Sequence, residues 1–140
     1  MENTKYLYIY SENVEYIADP MDTYNKFDIK VPADTLILPH TNANIDMDAT
    51  ITMWDINVGR IYGLHLIPTE AILDTPLVPL LIGKSISTPD APTALHLHVR
   101  NDSDSNYTVL AGTVLFQLVL GNYENFNIIV TDSLEYIPLQ

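Results

Sequence analysis

Leu95-His96-Leu97-His98-Val99-Arg100-Asn101-Asp102-Ser103-Asp104, then Tyr107-Thr108-Val109, then Ala111-Gly112-Thr113-Val114-Leu115-Phe116-Gln117-Leu118-Val119-Leu120, is the stretch that decides the fold. It reads as strand, polar turn, short strand, glycine corner and long strand. Leu95, Leu97 and Val99 share one face of the first strand, because side chains alternate along extended backbone. In the last strand Val114, Phe116, Leu118 and Leu120 line one face, and Leu115, Gln117 and Val119 the other. Both faces are nearly apolar, which predicts a strand covered on both sides.

Working outward, short runs of β-formers recur between Pro, Asn, Asp and Gly, an all-β pattern. Tyr6-Leu7-Tyr8-Ile9-Tyr10 is one run. Lys26 to Val31 is another, with Phe27, Ile29 and Val31 on one face. Thr35 to Leu38, Ala49 to Trp54, Arg60 to Ile67, Val78 to Ile82 and Asn127 to Thr131 complete the set. Pro79 inside the Val78 run favours an edge or a bend. The one helical candidate, Thr69 to Asp74 after Pro68, is too short to stand without tertiary packing. Strands at this spacing predict a sandwich or barrel with at most one short helix.

Composition narrows the function classes. A chain of 140 residues with 47% hydrophobic content is long and apolar enough to bury a core as one domain, 1–140. It has no cysteine, so disulfides, thiolate metal sites and cysteine nucleophiles are excluded. Net charge is -12, from 18 acidic and 6 basic residues. Lys5, Lys26, Lys30, Arg60, Lys84 and Arg100 are scattered singly, so no phosphate-tracking surface is expected and nucleic acid is not an expected partner. No apolar run is long enough to span a membrane. The Met1 to Lys5 segment has no signal-peptide character, which leads to an expectation of an intracellular or virion protein with no secretion signal.

The strand order and motif spacing resemble the dUTPase family over roughly Lys26 to Leu120. The resemblance implies an all-β, dUTPase-like (β-clip) distorted barrel or sandwich, with three copies closing around an axis. Asn25-Lys26-Phe27-Asp28-Ile29 is similar to the family's first motif and keeps its aromatic, Asp28 and aliphatic core. Pro68-Thr69-Glu70 stands at the second, phosphate-holding motif. Pro68 is kept, while arginine has become Thr69 and serine Glu70. A carboxylate there suits a helix dipole but repels a triphosphate on the same amides. Gly83 matches the third motif, yet the water-activating aspartate of the family has no counterpart at Ile86 or Ser87, and Asp90 comes too late. Gly112 and Gln117 match the fourth motif, whose charged pair is replaced by Thr113 and Val114. No glycine-rich fifth motif follows Gly121.

Framework kept with altered chemistry also resembles the dUTPase-like family encoded by the first open reading frame of adenovirus early region four, which works through protein contacts. The expectation from these resemblances is a protein that is not an enzyme, with no catalytic residues, no metal and no cofactor. Asp28, Pro68, Glu70, Gly83, Gly112 and Gln117 would be vestigial motif positions. The protein would be a viral homotrimer, with Phe116, Gln117 and Leu118 as trimer contacts and an unidentified host or viral protein as partner. It would act in the cytoplasm or nucleus of an infected host cell or on the virion. Two alternatives remain open: a virion decoration protein, and a divergent dUTP or nucleotide hydrolase.

Other features read more plainly. His96 and His98 share a strand face, but a third metal ligand at a convincing spacing is missing, so core or interface histidines are expected. Asp46-x-Asp48 lacks the glycine and terminal glutamate of a calcium loop and reads as solvated turn. Nine tyrosines against three phenylalanines and one tryptophan form an amphipathic aromatic set suited to interfaces or to ordinary β packing. Tyr6, Tyr8 and Tyr10 share one face.

Overall fold

A computed structural model describes residues 3–80 and 92–133. In chain order the strands are β1 (Lys5–Ser11), β2 (Phe27–Lys30), β3 (Thr35–Ile37), β4 (Asn42–Asp55), β5 (Gly59–Arg60), β6 (Leu64–Pro68), β7 (Leu77–Pro79), β8 (Thr93–Asn101), β9 (Tyr107–Val109), β10 (Val114–Leu120) and β11 (Asn127–Thr131). Two short 3-10 turns, Glu70–Asp74 and Gly121–Tyr123, are the helical elements among the described residues. The all-β expectation holds. No helix among the described residues is long and apolar enough to cross a membrane.

Three sheets form. The largest runs β11-β1-β4-β8-β7, with β5 paired to β4. The second runs β2-β10-β6, and β3 pairs with β9 in the third. β11 lies parallel to β1, with Leu7 beside Ile128 and Ile9 beside Val130. β1 and β4 are antiparallel, with Ile9 opposite Ile51 and Leu7 opposite Met53. Leu7, Ile9, Ile51, Met53 and Ile128 join Leu95, Leu97, Val99, Leu115, Phe116, Leu118 and Phe126 in the core, while Val130 is partly exposed. Tyr6, Tyr8 and Tyr10 turn to the other face and are half-buried. Burial raises the Tyr8 phenol above its usual pKa, with the neighbouring Tyr6 adding to the effect.

The strands depart from the sequence expectations at three places. β4 begins seven residues before Ala49 (49 − 42), because Asn42, Asn44 and Asp46 face outward while Ile45 and Met47 are buried. Its register to β8 shifts between Asp46 and Thr50, and Asp48 there has φ 52°. The Asp46 carboxylate accepts from the Asp48 amide at 2.8 Å, so the pair forms a bulge within the strand, not a free turn. The Arg60 to Ile67 run is cut in two, with Gly63 at φ 112° standing between β5 and β6. Of the Val78 to Ile82 run, β7 holds Val78 and Pro79, and the rest beyond Leu80 lies outside the described residues.

Candidate functional site

β10 is the central strand of the second sheet, and it gathers the motif positions. Its Gln117 stands opposite Asp28 on β2 and opposite Ile67 on β6. Alternation on β2 buries Ile29 and leaves Asp28 and Lys30 exposed. Gln117 Nε2 donates to Asp28 Oδ1 at 2.7 Å. The two motif residues farthest apart in the chain therefore meet on one outward face. Phe116 and Leu118, 2% and 0% exposed, belong to the chain's own core, so of the three expected trimer contacts Gln117 alone faces outward.

The phosphate-motif segment reaches the same strand. Pro68 lies opposite Phe116. Thr69 donates its amide to Leu115 O at 2.8 Å and its hydroxyl to Val114 O at 2.9 Å. Thr69 thus ties the 3-10 turn to β10, and Glu70 opens that turn exposed to solvent. Gly112 closes the other end of β10. Its φ is 85° and its amide donates to Val31 O at 2.7 Å. A Cβ placed there would have no atom within 4 Å, so backbone conformation, not space, calls for glycine. Gly83, with Ile86, Ser87 and Asp90, lies outside the described residues.

Beside Asp28 is a groove of about 320 Å³ lined by Tyr16, Ile17, Tyr24, Lys26, Phe27, Asp28 and Lys30. Tyr16 packs on Phe27 with ring centroids 5.7 Å apart, and Tyr24 meets Phe27 edge-on at 6.4 Å. Burial pushes the Tyr16 phenol above its usual pKa, and the Lys30 backbone partly offsets this. Lys26 lies 6.0 Å from the Tyr123 ring centroid, the outer limit of a cation-π contact. Two of the chain's six basic residues therefore flank Asp28, Lys30 on β2 and Lys26 just before it. The alternation of positions 26, 28 and 30 carries this in the sequence; the aromatic wall from the loop before β2 is a tertiary feature.

The polar turn that opens the deciding stretch is organised by Asn101, which is fully buried. Its Nδ2 donates to Ile37 O at 3.1 Å and Ser105 O at 2.8 Å. Its Oδ1 accepts from the Ser103 amide at 3.1 Å and the Ser103 hydroxyl at 2.8 Å. Asp104 is exposed and pairs with His40 at 2.6 Å. His96 and His98 do share the outer face of β8, opposite Asp46 and Asn44. Among the described residues no three His, Asp or Glu side chains converge as metal ligands.

No family model matches the chain, and neither does any curated protein sequence. Solved structures do match. The dUTPase from phage phi11 of S. aureus aligns with TM-score 0.62 and 18% identity, covering 99% of both chains. The native EIAV dUTPase aligns with TM-score 0.58 and 16% identity, covering 95% of this chain and 99% of that one. A Staphylococcus bacteriophage 80alpha dUTPase mutant bound to dUpNHpp aligns with TM-score 0.62 and 17% identity, covering 99% and 93%.

The fold is that of the dUTPases. The expectation of a protein that is not an enzyme is corrected here, because the proteins that share this fold end to end are enzymes. That expectation rests on Thr69 and Glu70, on the lack of an acid at Ile86 or Ser87, on Thr113 and Val114, and on the missing glycine-rich fifth motif. Against it stand Asp28 and Gln117, which the fold brings into contact.

Proposed function

We propose that this protein is a divergent nucleotide hydrolase on a trimeric dUTPase scaffold, with the outer face of β2-β10-β6 as its nucleotide face. The observation that carries this reading is the Asp28–Gln117 pair flanked by Lys26 and Lys30 beside an open groove. Magnesium bound to a substrate triphosphate needs one or two protein carboxylates in addition to the phosphate oxygens. Asp28 suits that role, with Gln117 holding one of its oxygens and setting its orientation. Lys26 and Lys30 supply point charges for phosphate in a chain that is otherwise acidic. They take over the attraction that Thr69 and Glu70 no longer provide. The bound metal would neutralise phosphate charge; the chain's own residues orient and attract the substrate.

The test is release of nucleoside monophosphate and pyrophosphate from dUTP and the other deoxynucleoside triphosphates in the presence of magnesium. Turnover is expected in the wild type and falls by on the order of a hundredfold in Asp28→Asn. Wild-type protein that neither turns over nor binds any nucleoside triphosphate would overturn the reading.

A second reading, a viral protein-interaction module on the same trimer, is favoured by one observation. Leu36, Leu38 and Leu110 are 59%, 53% and 60% exposed, alternating with the buried Ile37 and Val109 of β3-β9. Such a patch marks a contact surface. Its partner would be a host or viral protein in an infected cell, or the capsid if the protein rides on the virion. Association with purified capsids separates those two.

A further inference from the structure

We infer that the outer face of the β3-β9 ribbon is a docking face for a basic amphipathic helix of a partner protein. This names the partner chemistry of the interaction-module reading, and it rests on that reading.

The ribbon has one covered side and one open side. Among the described residues β3 and β9 pair only with each other. Alternation sends Ile37 and Val109 into the core and turns Leu36, Thr108 and Leu110 outward. The register sets Thr35 opposite Val109, Leu36 opposite Thr108 and Ile37 opposite Tyr107. Continued outward, it sets Asp34 by Leu110, Leu38 by Asn106 and His40 by Asp104. Two contacts hold that continuation at its ends. The Ala111 amide donates to Asp34 Oδ1 at 2.8 Å, and His40 Nε2 meets Asp104 Oδ1 at 2.6 Å.

The outer face is therefore four rows, all of them exposed, about 7 Å apart and about 20 Å from end to end. Leu110, Leu36 and Leu38 form a continuous apolar stripe over the first three rows. Asp34 stands at one end and Asp104 at the other. Scattered exposed leucines need no explanation, but three in contiguous rows over a covered inner side mark a contact face.

The shape of the face selects a helix. A partner lying on the face gains no backbone hydrogen bonds from the ribbon. It must satisfy its own, which a helix does within itself. A helix with apolar residues at i, i+4 and i+8 presents them over about 12 Å, close to the distance of about 13 Å between the first and third rows. Basic residues one turn beyond at each end reach Asp34 and Asp104.

Charge selects the sign of the partner. No lysine or arginine stands in residues 34–40 or 104–110. Arg100, on β8 beyond the Asp104 end, donates to Asn42 at 3.3 Å. The exposed Asp102 adds a further acid at that end. A second copy laid on this face in either direction would bring acid onto acid at both ends, and two chains of net charge -12 repel. A helix with basic ends is attracted.

The probe is a labelled alanine-based helical peptide with leucine at every fourth position of one face and paired lysines at both ends, followed by fluorescence anisotropy with the full chain. Saturable binding is expected, about tenfold tighter than for a peptide of the same composition with its leucines scattered around the helix. Exchanging the lysines for glutamates should weaken binding about tenfold, by less as salt rises. Leu36→Ser and Leu110→Ser change exposed side chains, so circular dichroism should be unaltered while binding weakens about tenfold in each. Asp34→Asn keeps the oxygen that accepts from Ala111 and removes only the charge. It should weaken binding about threefold at low salt and leave it unchanged at high salt.

Equal binding of the ordered and scattered peptides, or unaltered binding in both serine variants, overturns the proposal. A wild type that sediments as a larger assembly than Leu36→Ser would assign the face to another copy and overturn it as well. Retention of an infected-cell or capsid protein by the wild type and not by Leu36→Ser, in a chain that ignores the peptide, would overturn the helix and leave the interaction reading standing.

Discussion

Replacing Asn101 with alanine should be among the most damaging changes of a polar side chain in this protein. The amide makes four hydrogen bonds from a fully buried position, to Ile37 O, Ser105 O and both the amide and hydroxyl of Ser103. The Ile37 carbonyl sits at the buried end of the network, and leaving it unsatisfied costs about 1–3 kcal/mol. The other three partners are nearer water and cost about 0.5–1 kcal/mol each when solvent replaces the amide. The total is about 2.5–6 kcal/mol, a fall in Tm on the order of 10–25 °C for a chain of this size. Thermal unfolding at fixed protein concentration measures it, with Ser103→Ala as the comparison. Ser103 loses solvent-reachable hydroxyl bonds only, so its variant should cost less than about 1 kcal/mol. Asn101→Asp adds a sign test. A carboxylate facing two carbonyls has its folded-state pKa raised above the unfolded value, so its penalty is present at neutral pH and relaxes as pH falls through that raised value. Equal melting of the Asn101→Ala and Ser103→Ala proteins, or an Asn101→Asp protein indifferent to pH, would refute the role given to the amide.

Gly112→Ala meets no atom yet forces a side chain onto a φ of 85°, so a loss of about 1–2 kcal/mol in urea unfolding is expected with the strand register unchanged. Tyr16 has its folded-state phenol pKa raised by burial, so its stabilising contribution is complete below the unfolded value near 10 and is lost as pH rises through the folded value. Tyr16→Phe should therefore flatten the alkaline loss of stability, read from unfolding midpoints across that range; an unchanged slope would contradict the burial.

Much of the fold was legible because alternation is a local signal. Phe27 and Ile29 on β2, and Leu95, Leu97 and Val99 on β8, lie on the buried faces their spacing predicts. Two kinds of element escaped. The first half of β4 hides behind Asn42, Asn44 and Asp46, and the bulge at Asp48 breaks its phase before Ala49 picks it up again. The parallel closure of β11 on β1 joins residues more than a hundred positions apart, and no local pattern states which strand a strand will pair with. The candidate site divides the same way. Positions 26, 28 and 30 fall on one face by simple counting. Their meeting with Gln117 and with the Tyr16 and Tyr24 wall depends on how β10 sits between β2 and β6.

β10 itself shows what the apolar pattern meant. Its two apolar faces predicted cover on both sides, by the chain's own sheet or by a partner subunit. The strand lies between β2 and β6, and Leu115, Phe116, Leu118, Val119 and Leu120 are buried within one chain. Self-cover thus accounts for nearly all of the pattern. Gln117 is the residue it does not account for, a polar side chain in the middle of an otherwise apolar strand. An amide in that position stabilises little by burial and is useful only for what it bonds, and it bonds Asp28 at 2.7 Å. The polar exception in this apolar strand is thus the best single pointer to the face proposed to hold nucleotide.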